Sequence, residues 1–122
     1  MNEGEVQRAC LEYLQYLQNQ GKLWHTRLNA GEFQTQSGRW AKGCPPGTAD
    51  AIVIREIASA SPDDCLDSTE VLFVEFKSAT GKQSPEQVVF QAMVEAQGCR
   101  YVIVRSAEEL QEIVPSRING IP

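Results

Sequence analysis

Residues 71–87 read "VLFVEFKSATGKQSPEQ", and the interpretation of the whole chain turns on them. The first half is an apolar run of β-strand composition, interrupted by an acid and a base. Strand side chains alternate between faces, so Val71, Phe73, Glu75 and Lys77 share one side and Leu72, Val74 and Phe76 the other. The second half passes through a glycine-containing loop to a helix start. Ser84 is a capping residue, Pro85 suits the first helical position, and Gln87 completes a capping box. The helix is expected to run to about residue 97 and to stop at Gly98. An apolar strand, "RYVIVRS" at 100–106, follows. A strand, a helix and a second strand in that order imply a parallel pair. Strands this apolar predict a sheet covered on both faces.

Working outward, residues 3–19 repeat apolar positions Val6, Ala9, Cys10, Tyr13, Leu14 and Leu17 at helical spacing, closed by "NQG". "KLWHTRLN" (22–29) reads as a strand, and "GEFQTQSGRWAKG" (31–43) as a hairpin or a glycine-flanked loop. "CPPGT" is a turn leading into the short buried strand "ADAIVI" (49–54), and 56–69 reads as a polar, acidic loop. Ser106 and Glu109 suggest a second capping box, opening a last helix that ends before Pro115. The order is helix, three strands, helix, strand, helix: one α/β domain over 1–114 with a tail at 115–122, without internal repeats.

Composition agrees with a globular domain. Of 122 residues, 42% are hydrophobic and 22% charged, which excludes a disordered chain. No apolar run approaches the roughly 20 residues needed to span a bilayer. The start, "MNEGEVQRACLEYL", lacks the basic and apolar regions of a signal peptide, so a cytoplasmic location is expected. Cys10, Cys44, Cys65 and Cys99 are widely spaced, without a C-x-x-C and with His25 as the one imidazole. They read as small buried or half-buried residues rather than as a zinc site or bridges.

The net charge of −5 argues against a protein that coats nucleic acid indiscriminately. Its distribution is uneven. Lys22, Arg27, Arg39 and Lys42 lie in a stretch whose one acid is Glu32, whereas 55–70 sets Glu56, Asp63, Asp64, Asp67 and Glu70 against Arg55. A localised phosphate-binding face can therefore coexist with an acidic surface.

Two carboxylates fall where burial is expected, Asp50 at the mouth of "AIVI" and Glu75 late in "VLFVEFK". Buried acids are costly unless paired or bound to a cation. If the two strands are neighbours, Asp50 and Glu75 meet and repel, and a hard divalent cation such as Mg²⁺ or Mn²⁺ would relieve both costs. Lys77 points the same way as Glu75 and could reach a phosphate oxygen or an attacking water. Two acids, a lysine and a divalent cation suit hydrolysis of a phosphodiester. The competing reading of Glu75 and Lys77 is a structural ion pair at a strand end.

The ordered set Gly47-Thr48-Ala49-Asp50, Glu75-Phe76-Lys77, "GKQSPEQ" (81–87), Gly98 and "YVIVRS" (101–106) resembles the PD-(D/E)xK nuclease superfamily. Within it, the set is most similar to the VRR-NUC (virus-type replication-repair nuclease) group, over about residues 3–110. The chain departs from that pattern at Ala49, where the family usually has proline. The resemblance implies a restriction-endonuclease-like αβββαβα core, a mixed central sheet flanked by helices. It implies Asp50, Glu75 and the backbone carbonyl of Phe76 as metal ligands, Lys77 as the catalytic lysine, and Gln87 beside the site. Glu3 on the first helix, with Gln7 one turn on, is the expected further acid, unless Glu5 serves instead. Arg27, Arg39, Lys42 and Lys82 are candidate DNA contacts. Trp40 and Phe33 could stack on an exposed base, and His25 reads mainly as a strand residue.

The implied activity is that of a Mg²⁺-dependent, structure-selective DNA endonuclease. It would resemble a Holliday-junction resolvase acting as a homodimer in DNA repair, in a phage or bacterial setting. A flap or nicking nuclease module, or a DNA-binding module without cleavage, remain the alternatives.

Overall fold

The computed structural model describes residues 1–58 and 68–116. Helix α1 (Glu3–Asn19) opens on a complete capping box: the Asn2 side chain accepts from the Glu5 amide, and Glu5 reaches back to the Asn2 amide. Strand β1 (Trp24–Arg27) follows, then β2 (Glu32–Gln34) and β3 (Trp40–Lys42), β4 (Ala51–Ile57) and β5 (Ser68–Phe76). Helix α2 (Pro85–Ala96), β6 (Arg100–Val104) and α3 (Ala107–Ile113) complete the chain. The acidic residues Asp63, Asp64 and Asp67, Cys65 and most of the tail lie outside the described residues.

The main sheet has the order β1-β4-β5-β6. β4 pairs antiparallel with β1 and β5, whereas β5 and β6 run parallel across the α2 connection, giving the expected mixed α/β sheet. β2 and β3 form a separate two-stranded antiparallel sheet, so "GEFQTQSGRWAKG" is a hairpin inserted between two strands of the main sheet. Its base is clamped by Gly43 N–H to Gly31 O at 2.7 Å, and by a bridge between Ala30 and Cys44.

One face of the sheet is closed. Ala51, Val53, Leu72, Val74, Phe76 and Val104 meet Val6, Cys10, Leu14 and Leu17 of α1 and Leu110 of α3 in one core. Each such Leu, Val or Phe contributes about 1.5–3 kcal/mol by leaving water. Burial pushes the Cys10 thiol up to about 11, so it behaves as a packing residue. Cys44 and Cys99 are partly buried free thiols.

The other face departs from the expectation of full cover. Phe90 of α2 packs edge-on against Phe73, with centroids 5.1 Å apart, and tilts over Tyr101. Yet α2 has no fully buried residue, and Val88, Val89 and Met93 are more than half exposed. A second correction concerns α3. Ser106 caps it by accepting from the Glu109 amide, but Glu109 returns its carboxylate to the Arg105 amide, so the reciprocal half of the capping box is missing.

The turn before β4 is pressed against the start of α2. Gly47 has φ +90°, and a Cβ there would lie 2.5 Å from the Glu86 carbonyl oxygen. Gly98, at φ +88°, faces open space. Gly98→Ala is expected to cost about 1–2 kcal/mol in urea denaturation for its backbone alone. Gly47→Ala should cost clearly more, because relief of the contact would also move the Asp50 turn off α2. Equal losses would show that the contact is unimportant.

Candidate active site

The register brings the two sequence-predicted acids together. Ala51 pairs with Val74, so Asp50 stands opposite Glu75 where β4 enters and β5 leaves the sheet. The Asp50 backbone oxygen accepts from the Leu28 amide at 2.7 Å, and its Oδ2 accepts from the Phe76 amide at 2.8 Å. Asp50 thereby ties β1, β4 and β5 together at the sheet end.

Glu75 is 2% exposed, the one buried charged residue among those described. Its Oε1 accepts from Gln87 Nε2 at 2.9 Å, while its Oε2 is buried and no N–H or hydroxyl group donates to it; a hydrogen bond to the Asp50 carboxyl needs a proton shared between the two acids. Burial above all, then the hydrogen bond and charge of Asp50, push the Glu75 carboxyl up to about 9, with Lys77 opposing the shift. At neutral pH the pair therefore holds a proton that a cation could replace.

Gln87 does two jobs with one amide. Its oxygen accepts from the Ser84 backbone at 2.8 Å, completing the α2 capping box, and its nitrogen holds Glu75. The helix start and the site are thus fixed by the same side chain. The capping expected from the sequence is formed, and the same side chain also contacts Glu75.

Lys77 follows β5, and its backbone amide continues the pairing with β6 by donating to Val104 O at 3.0 Å. Its side chain is 11% exposed and its ion-pair partner is Glu3, with Nζ 3.9 Å from Oε1. The structural ion pair of Glu75 with Lys77, the competing reading, is not the one formed. Glu3 and not Glu5 serves this corner, because Glu5 is committed to its cap. The loop after Lys77 is pinned by Arg105, whose Nη1 donates to Ser78 O at 2.6 Å and Gly81 O at 2.7 Å. Nothing in the sequence reading had singled out Arg105.

Gln7 also gains a definite task. Its amide lies 2.9 Å from Arg27 Nε and Nη2, and the orientation that satisfies both side chains, with the oxygen toward Arg27, makes Gln7 the acceptor of both. Arg27 is therefore held one helical turn from Glu3, and the spacing of Glu3 and Gln7 was the available signal. Arg39, Lys42 and Lys82 are exposed, the first two on the hairpin and the third in the loop before α2. Trp40 is 70% exposed. His25 is bound by Gln18, with Nδ1 2.7 Å from Oε1, and burial lowers its pKa, in keeping with a strand residue.

No group of three or more His, Cys, Asp or Glu side chains converges as a ligand set among the described residues. Two carboxylates do converge, and one presents a buried oxygen to which no N–H or hydroxyl group donates. That donor set fits a hard divalent cation, which needs only one or two carboxylates and completes its shell with carbonyl oxygen and water. A soft or nitrogen-preferring metal finds neither thiolate nor imidazole in the cluster. The chain matches no protein-family model, no curated protein and no solved structure. No helix among the described residues is long and apolar enough to cross a membrane.

The raised pKa has a definite sign for stability. Folded protein keeps the Glu75 proton up to about pH 9, whereas the ordinary carboxyl value is 4.5. Between those values the folded state binds more protons than the unfolded state, so stability falls as pH rises. In EDTA, Glu75→Gln should raise Tm more at pH 8 than at pH 5. A Tm difference that does not vary with pH would contradict this.

Proposed function

We propose that the chain is a metal-dependent DNA endonuclease on a restriction-endonuclease-like core, of the VRR-NUC type, that hydrolyses phosphodiester bonds in branched DNA. The observation that carries this reading is the buried Glu75 Oε2, which no donor reaches once the carboxyl is ionised, set beside Asp50 at the sheet end with Lys77 at its rim. An acid kept in so costly a place, with one oxygen already held by Gln87, is arranged to receive a cation.

Asp50, Glu75 and the Phe76 carbonyl would hold Mg²⁺ or Mn²⁺. Bound there, the cation would act as a Lewis acid toward the phosphate and make a water more acidic. The other tasks fall to the chain itself. Gln87 fixes the rotamer of Glu75, and the Phe76 amide fixes that of Asp50. Lys77, steadied by Glu3, supplies the ammonium that orients the attacking water and offsets charge gathering on the phosphate oxygens. Water adds to phosphorus, the bond to one ester oxygen breaks, and the leaving oxygen takes up a proton. Arg27, beside Gln7, would bind a phosphate at the α1 edge of the site.

A domain this small cannot enclose a four-way junction alone, so a two-fold dimer presenting two sites is the expected working form. The cytoplasm of a bacterial or phage-infected cell and a place in DNA repair belong to the same proposal.

The test is cleavage of a matched panel: four-way junction, 5′ flap, nicked duplex, linear duplex and single strand, each with Mg²⁺ or Mn²⁺. Paired symmetric cuts in the junction are expected, with Lys77→Ala lowering the rate by at least about 100-fold while DNA binding persists. Cutting confined to flaps or nicks would remove the resolvase assignment and keep the nuclease. DNA binding without cutting under any condition would leave a binding module.

A further inference from the structure

We infer that the β2–β3 hairpin is a reader of unpaired bases: Trp40 stacks on a nucleobase freed from the duplex while Arg39 and Lys42 hold the flanking phosphates. This inference rests on the nucleic-acid reading above and adds the part of the protein that would distinguish branched from paired DNA.

A free hairpin is marginal in water, so one that stands off the main sheet needs bracing. The bracing is present at both ends. At the tip, Gln34 Nε2 donates to Gly38 O at 3.0 Å, Thr35 N–H donates to Arg39 O at 2.7 Å, and the Thr35 and Ser37 hydroxyls are 2.9 Å apart. Gly38 takes φ +84° to close the turn. At the base, the Gly43–Gly31 bond and the Cys44–Asn29 bond lock the hairpin to the end of β1. A Cβ at Gly43 would fall on the Asn29 carbonyl, so the strands meet there without side chains between them.

On this braced support Trp40 is left 70% exposed. Its ladder partner is Gln34, whose amide is already committed to the turn, so no large side chain lies opposite to cover the indole. A flat aromatic held on a rigid support loses little freedom on binding, which is what a stacking platform requires. The surrounding charge favours a polyanion. Arg39 and Lys42 are both exposed, Arg39 in the turn just before β3 and Lys42 at the end of β3, where Glu32 stands opposite it in the ladder. The chain is acidic overall, so these cations localise attraction rather than spread it.

The hairpin also leads along the chain to the chemistry. From Lys42 the chain passes through Gly43, the Pro45–Pro46 turn and Gly47, pressed on α2, to Asp50. A base captured by Trp40 would therefore set which phosphodiester reaches Asp50 and Glu75.

The experiment measures binding by anisotropy in EDTA with labelled oligothymidine, four-way junction and blunt duplex, and repeats the cleavage panel. Trp40→Ala should weaken binding to oligothymidine and junction by roughly 10-fold and leave blunt duplex within about twofold. Trp40→Phe should retain most of the binding. In a Trp24→Phe background, the remaining Trp40 emission should be quenched by oligothymidine and not by blunt duplex, a readout that needs no folding of the alanine variant. Equal weakening on all substrates, no weakening on any, or absence of quenching would overturn the inference. So would loss of self-association in Trp40→Ala by sedimentation, which would make the indole a protein contact. Wild-type protein that cuts DNA while Trp40→Ala cuts the panel unchanged sinks the hairpin role alone. Wild-type protein that binds and cuts no DNA sinks the nuclease reading with it.

Discussion

A carboxylate at 2% exposure on an apolar strand is stable only if its surroundings answer for its charge, and most of the local structure does so. Gln87 donates to one Glu75 oxygen, Asp50 presses its own carboxyl against the group, and Lys77 adds positive charge nearby. The answer is incomplete in the protein alone. Ionised, one oxygen has no donor, and the group keeps its proton well above the usual carboxylate range. The arrangement lowers the stability of the free protein at neutral pH, a local cost of the kind the proposed cation site would account for.

The same constraint explains why the surrounding elements end where they do. β5 stops at Phe76, whose amide turns to Asp50 rather than to a neighbouring strand. α2 starts at Pro85 because Ser84 and Gln87 cap each other, and the Gln87 amide nitrogen is then directed at Glu75. α1 starts at Glu3 because Asn2 and Glu5 form the cap, which leaves Glu3 free for Lys77. Helix starts and strand ends are where backbone groups lack partners. Here those partners are side chains that also define the site.

The two faces of the sheet have different work. The α1–α3 face carries the closed core, and the α2 face is held mainly by Phe90 against Phe73 and Tyr101, with Val88, Val89 and Met93 left in solvent. Stability therefore rests chiefly on the first face, and the second can devote its end to polar groups.

What the sequence determined by itself was local. The three helices, the central strands, the parallel β5–β6 pair and the Ser84–Gln87 cap were legible, because capping, alternation and turn chemistry act over three or four residues. Asp50, Glu75 and Lys77 were legible because ionisable residues contradict the apolar pattern around them. The tertiary structure decided the partnerships. It gave Lys77 to Glu3 rather than Glu75, Arg27 to Gln7, Arg105 to the 78–81 loop, and the second hydrogen bond of Gln87 to Glu75. It also set the hairpin apart from the main sheet and left α2 half uncovered. These contacts join residues 12 or more positions apart, and spacing along the chain says which groups are near in sequence, not which face one another once the sheet twists and the helices dock.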